Sequence, residues 1–368
     1  MSSDSTPAQR PPRQEQLPAS DDIDEIAPGV LRTQLPISIP GLGHVNMYVL
    51  EDERGVTVVD PGLPEKASYA VVRRRLDQVG VPMKRVHSVI VTHSHPDHFG
   101  GAEWLRSETG CDIVTHERFR VMWDPTEPPD IDIDDLGREP RDGELDEIER
   151  MSRSRKPWDP TPWGGPGMQL PLKRRAQIAF TRRFPKFMRL PKPTVRLKDA
   201  QHFRFARREW VAVHTPGHTA DHLCLFDPEH GVMLCGDHVL PTITPHISGL
   251  IKARDPLRLF FNSLDKVAAF GDQVKLALPA HGAPFTDLAG RAESIKQHHV
   301  ERLDKLVNAS RDLGRPATVS EMSTYLFAPR SLGGMADSET FAHLEHLRLT
   351  GDMECSQNDG KLEYVVRH

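Results

Sequence analysis

Long apolar runs are missing from this 368-residue chain. Stretches such as 89–91 stop far short of the ~18 residues that a membrane-crossing helix needs, so a spanning protein is not expected. Cysteine is scarce. Cys111, Cys224, Cys235 and Cys355 are widely spaced and form no C-x-x-C pair, which argues against a disulfide framework or a zinc ribbon and fits a reducing, cytoplasmic setting. An excess of one charge is also lacking: 47 Lys and Arg stand against 52 Asp and Glu, a net charge of −5, so the molecule as a whole is no polyanion binder. Residues 1–20 hold no apolar stretch of the kind a secretory leader carries, and their polar, proline-containing composition predicts a disordered tail. What the chain does have is a 38% apolar content, enough for a sizeable core, and 19 histidines.

From residue 21 onwards, short apolar runs alternate with helical patterns. Strands are expected over 45–50, 56–60, 86–92 and 112–115, with helices over 64–79, closed by Gly80, and 97–107. Such alternation predicts an α/β layered fold. The middle of the chain differs. Residues 124–149 hold 12 acids against Arg138 and Arg141, and residues 173–208 hold 13 Lys and Arg against Asp199. A stretch of about 120–200 therefore reads as an insertion. Either its two charged faces pair with each other, or its basic part, with Arg182, Arg183 and Lys186, grips an anionic substrate such as a phosphorylated acyl carrier or a nucleic acid. Phe180, Phe184, Phe187 and Met188 suit an apolar lid over an acyl group better than a base-stacking platform.

Strands resume at 210–213, 222–226, 232–234 and 274–278, around a helix at about 256–269. A long helical stretch from about 286 leads into a C-terminal unit, residues 301–368. Its signals are a capping box at Thr318 and Glu321, an apolar stripe of Phe341, Leu344 and Leu347, and a hairpin turn at Asp359-Gly360. Helix, helix and hairpin in that order are a winged-helix arrangement. With 8 Lys and Arg against 11 Asp and Glu, this unit has no DNA-reading footprint and is expected to pack on the preceding domain or to form a homodimer contact.

The histidines cluster at strand ends. His93, His95 and Asp97 fall at alternate positions after an apolar strand and can share one face, while the turn at Pro96 swings His98 out of that alternation. One short loop can thus offer ligands to two adjacent metal ions, and imidazole with carboxylate suits zinc, with iron or manganese as alternatives. His214 to Thr219, Gly236-Asp237-His238 and Ala280-His281-Gly282 each put a ligand-type residue after another strand. His222 and His238 read as structural or as supports of the ligands.

H-x-H-x-D-H, then P-G-H-T, G-D-H and a strand-end A-H-G, preceded by Val58-Val59-Asp60-Pro61-Gly62, resemble the metallo-β-lactamase superfamily over residues 25–285. The resemblance implies an αββα sandwich and a binuclear metallo-hydrolase with two divalent ions, zinc first. His93, His95 and His218 would bind one ion; Asp97, His98 and His281 the other. Asp237 would bridge them together with a hydroxide, and Asp60 would orient a ligand histidine. Asp97 and Asp237 are the implied catalytic carboxylates, Asp97 steering the proton to the leaving group. His44 and Asn46 lie where the family has residues near the metal mouth, and are expected to touch substrate. His at 95 disfavours flavodiiron relatives, and Asp at 237 disfavours zinc β-lactamases with a Cys ligand. The implied domain limits are 21–300 for the hydrolase and 301–368 for a winged helix. The implied reaction is hydrolysis of a small ester or thioester, with single-stranded RNA cleavage as the second reading. A regulator without metals and a mononuclear iron dioxygenase are further alternatives. All the expected ligands are present, which speaks against the regulator, and metal analysis would separate the dioxygenase.

Overall fold

The computed structural model describes residues 13–121, 159–167, 176, 189–251 and 253–367. Seven strands form the first sheet in sequence order: β1 (Ile23–Ala27), β2 (Val30–Ile39), β3 (Leu42–Glu51), β4 (Val56–Val59), β5 (Val86–Ile90), β6 (Asp112–His116) and β7 (Val195–Leu197). The first four pair antiparallel; β4 to β7 pair parallel. A second sheet runs β12-β11-β10-β9-β8, made of β8 (His202–Phe205), β9 (Arg208–His214), β10 (Leu223–Asp227), β11 (Val232–Gly236) and β12 (Leu276–Pro279).

Residues that alternate along these strands explain the layering. One set, including Tyr48, Leu50, Val59, Ile90, Trp210, Leu223, Leu225 and Leu278, meets between the sheets. The opposite face of the first sheet, with Val45, Met47 and Val58, packs under α1 (Lys66–Val79), next to the short α2 (Pro96–Phe99) and α3 (Ala102–Thr109). The outer face of the second sheet, with Val213, Cys224 and Met233, is covered by Phe260 and Leu264 of α4 (Pro256–Ala268) and by Ile295 of α5 (Leu288–Leu313). The result is the expected αββα sandwich.

The helix expected over 97–107 is interrupted at Gly100-Gly101, where the chain passes so close to Leu63 and Pro64 that a Cβ on Gly100 would sit 2.1 Å from their backbone. Residues 195–197 are not part of the insertion; they form β7, hydrogen-bonded to β6. Strand β8 was hidden in the basic stretch, although His202-Phe203-Arg204-Phe205 alternates polar and apolar as a half-covered strand does. Arg182, Arg183, Lys186 and the acidic stretch 124–149 lie outside the described residues.

The tail expected over 1–20 is corrected for its described part. Residues 14–16 form a 3-10 turn that inserts the fully buried Glu15, which accepts hydrogen bonds from the Thr242 amide (2.8 Å), the Ile243 amide (3.1 Å) and the Thr242 hydroxyl. Buried Arg75 then fastens the next stretch through the carbonyls of Ser20 and Asp21. Its composition is tail-like, yet a handful of backbone partners hold it down. Glu15→Ala strands two buried amides and is expected to lower stability by about 1–3 kcal/mol. An unchanged urea midpoint would show that the segment does not dock.

Helix α5 runs without a break across the boundary expected at residue 300, carrying Ile295 in one core and Leu306 in the next. Beyond it, β13 (Ala317–Thr318), α6 (Val319–Leu326), α7 (Gly334–Thr350), β14 (Met353–Asn358) and β15 (Lys361–Val366) complete the C-terminal unit, with Thr318 capping α6 through the Glu321 amide. Trp163, from the inserted stretch, packs on Phe341 of α7 at 4.9 Å. No helix among the described residues is long and apolar enough to cross a membrane.

Candidate metal centre

Seven side chains converge at the strand ends in two groups, His93, His95, His218 and Asp237, and Asp97, His98 and His281. Each group's donor atoms lie within 4.8 Å of one another. Asp237 stands between the groups. Its Oδ2 is 3.5 Å from His98 Nε2, 3.6 Å from His218 Nε2 and 3.8 Å from His93 Nε2, and its Oδ1 is 3.2 Å from His281 Nε2. Asp97 Oδ2 lies 3.5 Å from His98 Nε2 and 3.6 Å from His281 Nε2. The residues the sequence singled out as ligands are therefore brought together as expected.

Hydrogen bonds on the far side of each ring decide which nitrogen faces inward. His98 donates Nδ1–H to Asp60 Oδ2 (2.9 Å), His281 to the His44 carbonyl (2.6 Å), and His218 to the His246 carbonyl (2.7 Å). Asp60, at φ 53°, also accepts from the Thr92 amide and hydroxyl, and that hydroxyl in turn accepts from His93 Nδ1. All four rings are thereby set with an Nε2 lone pair towards the centre. His95 differs, presenting Nδ1 at 3.1 Å from His218 Nε2. Among the described residues, Nε2 of His93, His98 and His281 and Oδ1 of Asp237 are buried without a hydrogen-bond partner. Orphaned acceptors at this density are costly unless a cation satisfies them, so the donor set fits divalent metal ions.

Electrostatics agree. Burial lowers His93 far below the usual histidine range, helped by the imidazoles of His98 and His95, and lowers His95 to about 3, helped by His218. At His98 burial is outweighed by Asp97, Asp237 and Asp60, and at His281 by Asp237 and Asp97, so both are raised. The same pairs, against the effect of burial, pull Asp97 down to about 2 and Asp237 well below the carboxylate range. Two ionised carboxylates thus draw positive charge into a buried pocket, and binding of cations would displace those protons.

His44 and Asn46, expected to touch substrate, are both buried and bond to the loop that carries His281, with Asn46 Oδ1 accepting from Gln34. Asn46 donates to the carbonyls of Pro279 and Gly282, both at 2.8 Å, and His44 accepts from the Gly282 amide at 3.1 Å while donating to the Leu17 carbonyl. They hold His281 in place. Tyr48 adds a 2.6 Å bond to the Pro279 carbonyl across the two sheets. His222 supports Asp237 by accepting its amide at 3.0 Å and donating to Thr215, whereas His238 packs edge-on to Phe260. Gly236, at φ 51°, must be glycine, since a Cβ there would lie 2.6 Å from His222 Nε2.

A third group, His299, Glu339 and His343, also has ligand-type atoms together. Its carboxylate is already paired with Arg302 and His246, and the two rings share a 3.0 Å hydrogen bond, so it reads as a buried polar network whose carboxylate is committed, with His299 Nε2 left unpartnered. Glu339, His246 and Glu15 carried no local signal in the sequence, because their partners lie far along the chain.

The profile described as "Metallo-beta-lactamase superfamily" matches residues 40–308. Probable metallo-hydrolase YqjP of Bacillus subtilis (strain 168) is 21% identical over 317 residues, spanning 84% of this chain and 86% of that protein. Atrochrysone carboxyl ACP thioesterase AgnL7 of Paecilomyces divaricatus is 33% identical over 135 residues, 34% of this chain and only 39% of that protein's length. The crystal structure of metallo-beta-lactamase family protein TTHA1429 from Thermus thermophilus superposes with a TM-score of 0.67 at 25% identity, covering 93% of this chain and 100% of that one.

Proposed function

The chain belongs to the metallo-β-lactamase superfamily, and on that premise we propose that it hydrolyses an ester or thioester bond in an acyl-carrier-like or lactone-like small molecule, using two divalent ions per chain, zinc first. The observation that carries this reading is the position of Asp237 within 4 Å of inward-facing nitrogens from both ligand groups. Bound ions would supply Lewis acidity at the carbonyl and a water acidified towards neutral pH.

The chain's own residues do the rest. His93, His95 and His218 would hold one ion, Asp97, His98 and His281 the other, and Asp237 both. Asp60, the His44 carbonyl and the His246 carbonyl fix the ring orientations, so little reorganisation is needed during reaction. Asp97, kept ionised chiefly by His98 and His281 against burial, is placed to carry a proton towards the leaving group. His95 is partly exposed, unlike the fully buried His93, so substrate enters from the His95 side.

The fungal relative named as an acyl-carrier-protein thioesterase supports the thioester over the phosphodiester. So does the acidic C-terminal unit, which we read as a winged helix packed on the hydrolase rather than a nucleic-acid reader; its residue Ala342 is buried in the hydrolase core. The test is a panel of acyl-CoA thioesters, lactones, aryl esters, bis-p-nitrophenyl phosphate and single-stranded RNA. Turnover of esters or thioesters without RNA cleavage is expected; RNA cleavage that disappears in Asp237→Ala would reverse the assignment.

Within this reading, Arg182, Arg183 and Lys186 grip the phosphorylated part of a carrier. Neutralising all three is expected to raise KM for an acyl-CoA about 10-fold or more, as loss of charge-assisted hydrogen bonds does. KM for a small uncharged ester should stay unchanged. An equal effect on both substrates would make the strip structural.

A further inference from the structure

The link between the C-terminal unit and the metal centre runs through few atoms. His218 donates to the carbonyl of His246 at 2.7 Å. The His246 ring in turn donates from Nδ1 to Glu339 Oε2 at 3.1 Å, and the other carboxylate oxygen of Glu339 accepts from Arg302 of α5. Glu339 is carried by α7, so a buried carboxylate of the C-terminal unit is hydrogen-bonded to the residue whose carbonyl accepts from His218.

The same face of α7 fixes the rest of that segment. The Gly249 amide donates to the Ser338 carbonyl at 3.1 Å, and the Ser248 and Ser338 hydroxyls meet at 3.1 Å. A Cβ on Gly249 would lie 2.5 Å from the Phe341 ring, so only glycine allows this approach. His346 closes the segment by pairing with Asp255 at 2.9 Å. The stretch from His246 to Asp255 is thus tied to α7 at both ends and in the middle, and it carries the acceptor for His218.

We propose that Glu339 is a positioning residue for the metal ligand His218, acting through His246, and that the C-terminal unit is thereby a working part of the metal centre rather than an appended module. The proposal rests on His93, His95 and His218 holding an ion. It makes a selective claim, because His98 and His281 take their orienting bonds from Asp60 and the His44 carbonyl, both inside the hydrolase domain. Loss of Glu339 therefore affects one ion and spares the other. Glu339→Ala also strands the buried Arg302 guanidinium, so Glu339→Gln, which keeps an acceptor oxygen for these partners, separates a lost position of the His246 carbonyl from a lost fold.

The experiment is cadmium-113 NMR with competitive metal titration on the full chain. Each bound ion gives one resonance, and the one missing from His93→Gln marks the three-histidine ion. Glu339→Ala is expected to move that resonance and weaken its ion about 10-fold, the low end for a partner outside the ligand shell, while the other ion stays within about twofold. Glu339→Gln, which keeps an acceptor for His246, should recover most of the affinity. Glu345→Ala is the control, since Glu345 is a buried carboxylate on the same helix that accepts from Tyr364 and Arg348. Equal weakening of both ions, or the same change in Glu345→Ala, would reduce Glu339 to general support of the fold and overturn the proposal. A wild-type chain showing no cadmium resonance would instead sink the metal reading beneath it.

Discussion

Asp237→Ala is expected to lower kcat/KM by at least about 10³-fold and to leave one metal ion or none per chain. Asp237 is the residue within 4 Å of inward nitrogens from both ligand groups, so its removal uncouples them. Losing several kcal/mol of charge stabilisation at the reacting carbonyl corresponds to three or more powers of ten in rate. The loss is local. Asp237 is positioned by the hydrogen bond its backbone N–H donates to His222 Nε2 and by the left-handed turn at Gly236, and an alanine at 237 keeps both. Circular dichroism should therefore report a folded chain. Activity within tenfold of the wild type, with both ions retained, would refute the bridging role.

Asp60→Asn is expected to weaken the ion proposed to sit between Asp97, His98 and His281 by about 10- to 100-fold, the range for partners that orient ligand histidines. Asparagine tolerates the φ of 53° at this position, so the backbone turn survives. What changes is the partner of His98. Asp60 Oδ2 accepts from His98 Nδ1 at 2.9 Å and from the Thr92 hydroxyl at 2.7 Å, and an amide in that place offers a donor where an acceptor is needed. The negative charge that helps keep His98 raised also goes. Activity should fall at limiting metal and recover with excess metal, a pattern that separates weakened binding from damaged chemistry. A metal titration curve identical to the wild type would show that Asp60 merely closes the turn.

Period-two alternation and a single turn made the convergence of His93, His95, Asp97 and His98 legible, while the wider proposed ligand set, with His218, Asp237 and His281, came from the family resemblance of the strand-end motifs. Strand–helix alternation gave an α/β layered fold, and the αββα order of the layers came from the family resemblance. What stayed illegible depends on contacts across long sequence separations. The bonds of Asn46 to the His281 loop span 233 and 236 residues, so nothing near Asn46 in the sequence revealed that its amide is committed to that loop. Glu15 looked like part of a tail because nothing in its neighbourhood reveals the amides of Thr242 and Ile243, 227 and 228 residues away. Strand β8 failed for a different reason: its four residues carry two basic side chains, and the charge of the surrounding stretch masked their alternation.

On the proposed reading, two ions held by these seven side chains drive ester hydrolysis. The decisive measurement is metal content together with thioesterase activity on one preparation of the wild-type chain, before and after chelation. Elemental mass spectrometry should count two divalent ions, predominantly zinc. Chelation should remove them together with acyl-thioester turnover, and adding zinc back should restore both. A chain that carries one iron, or that turns over thioesters undiminished after its metal has been stripped, would contradict the account.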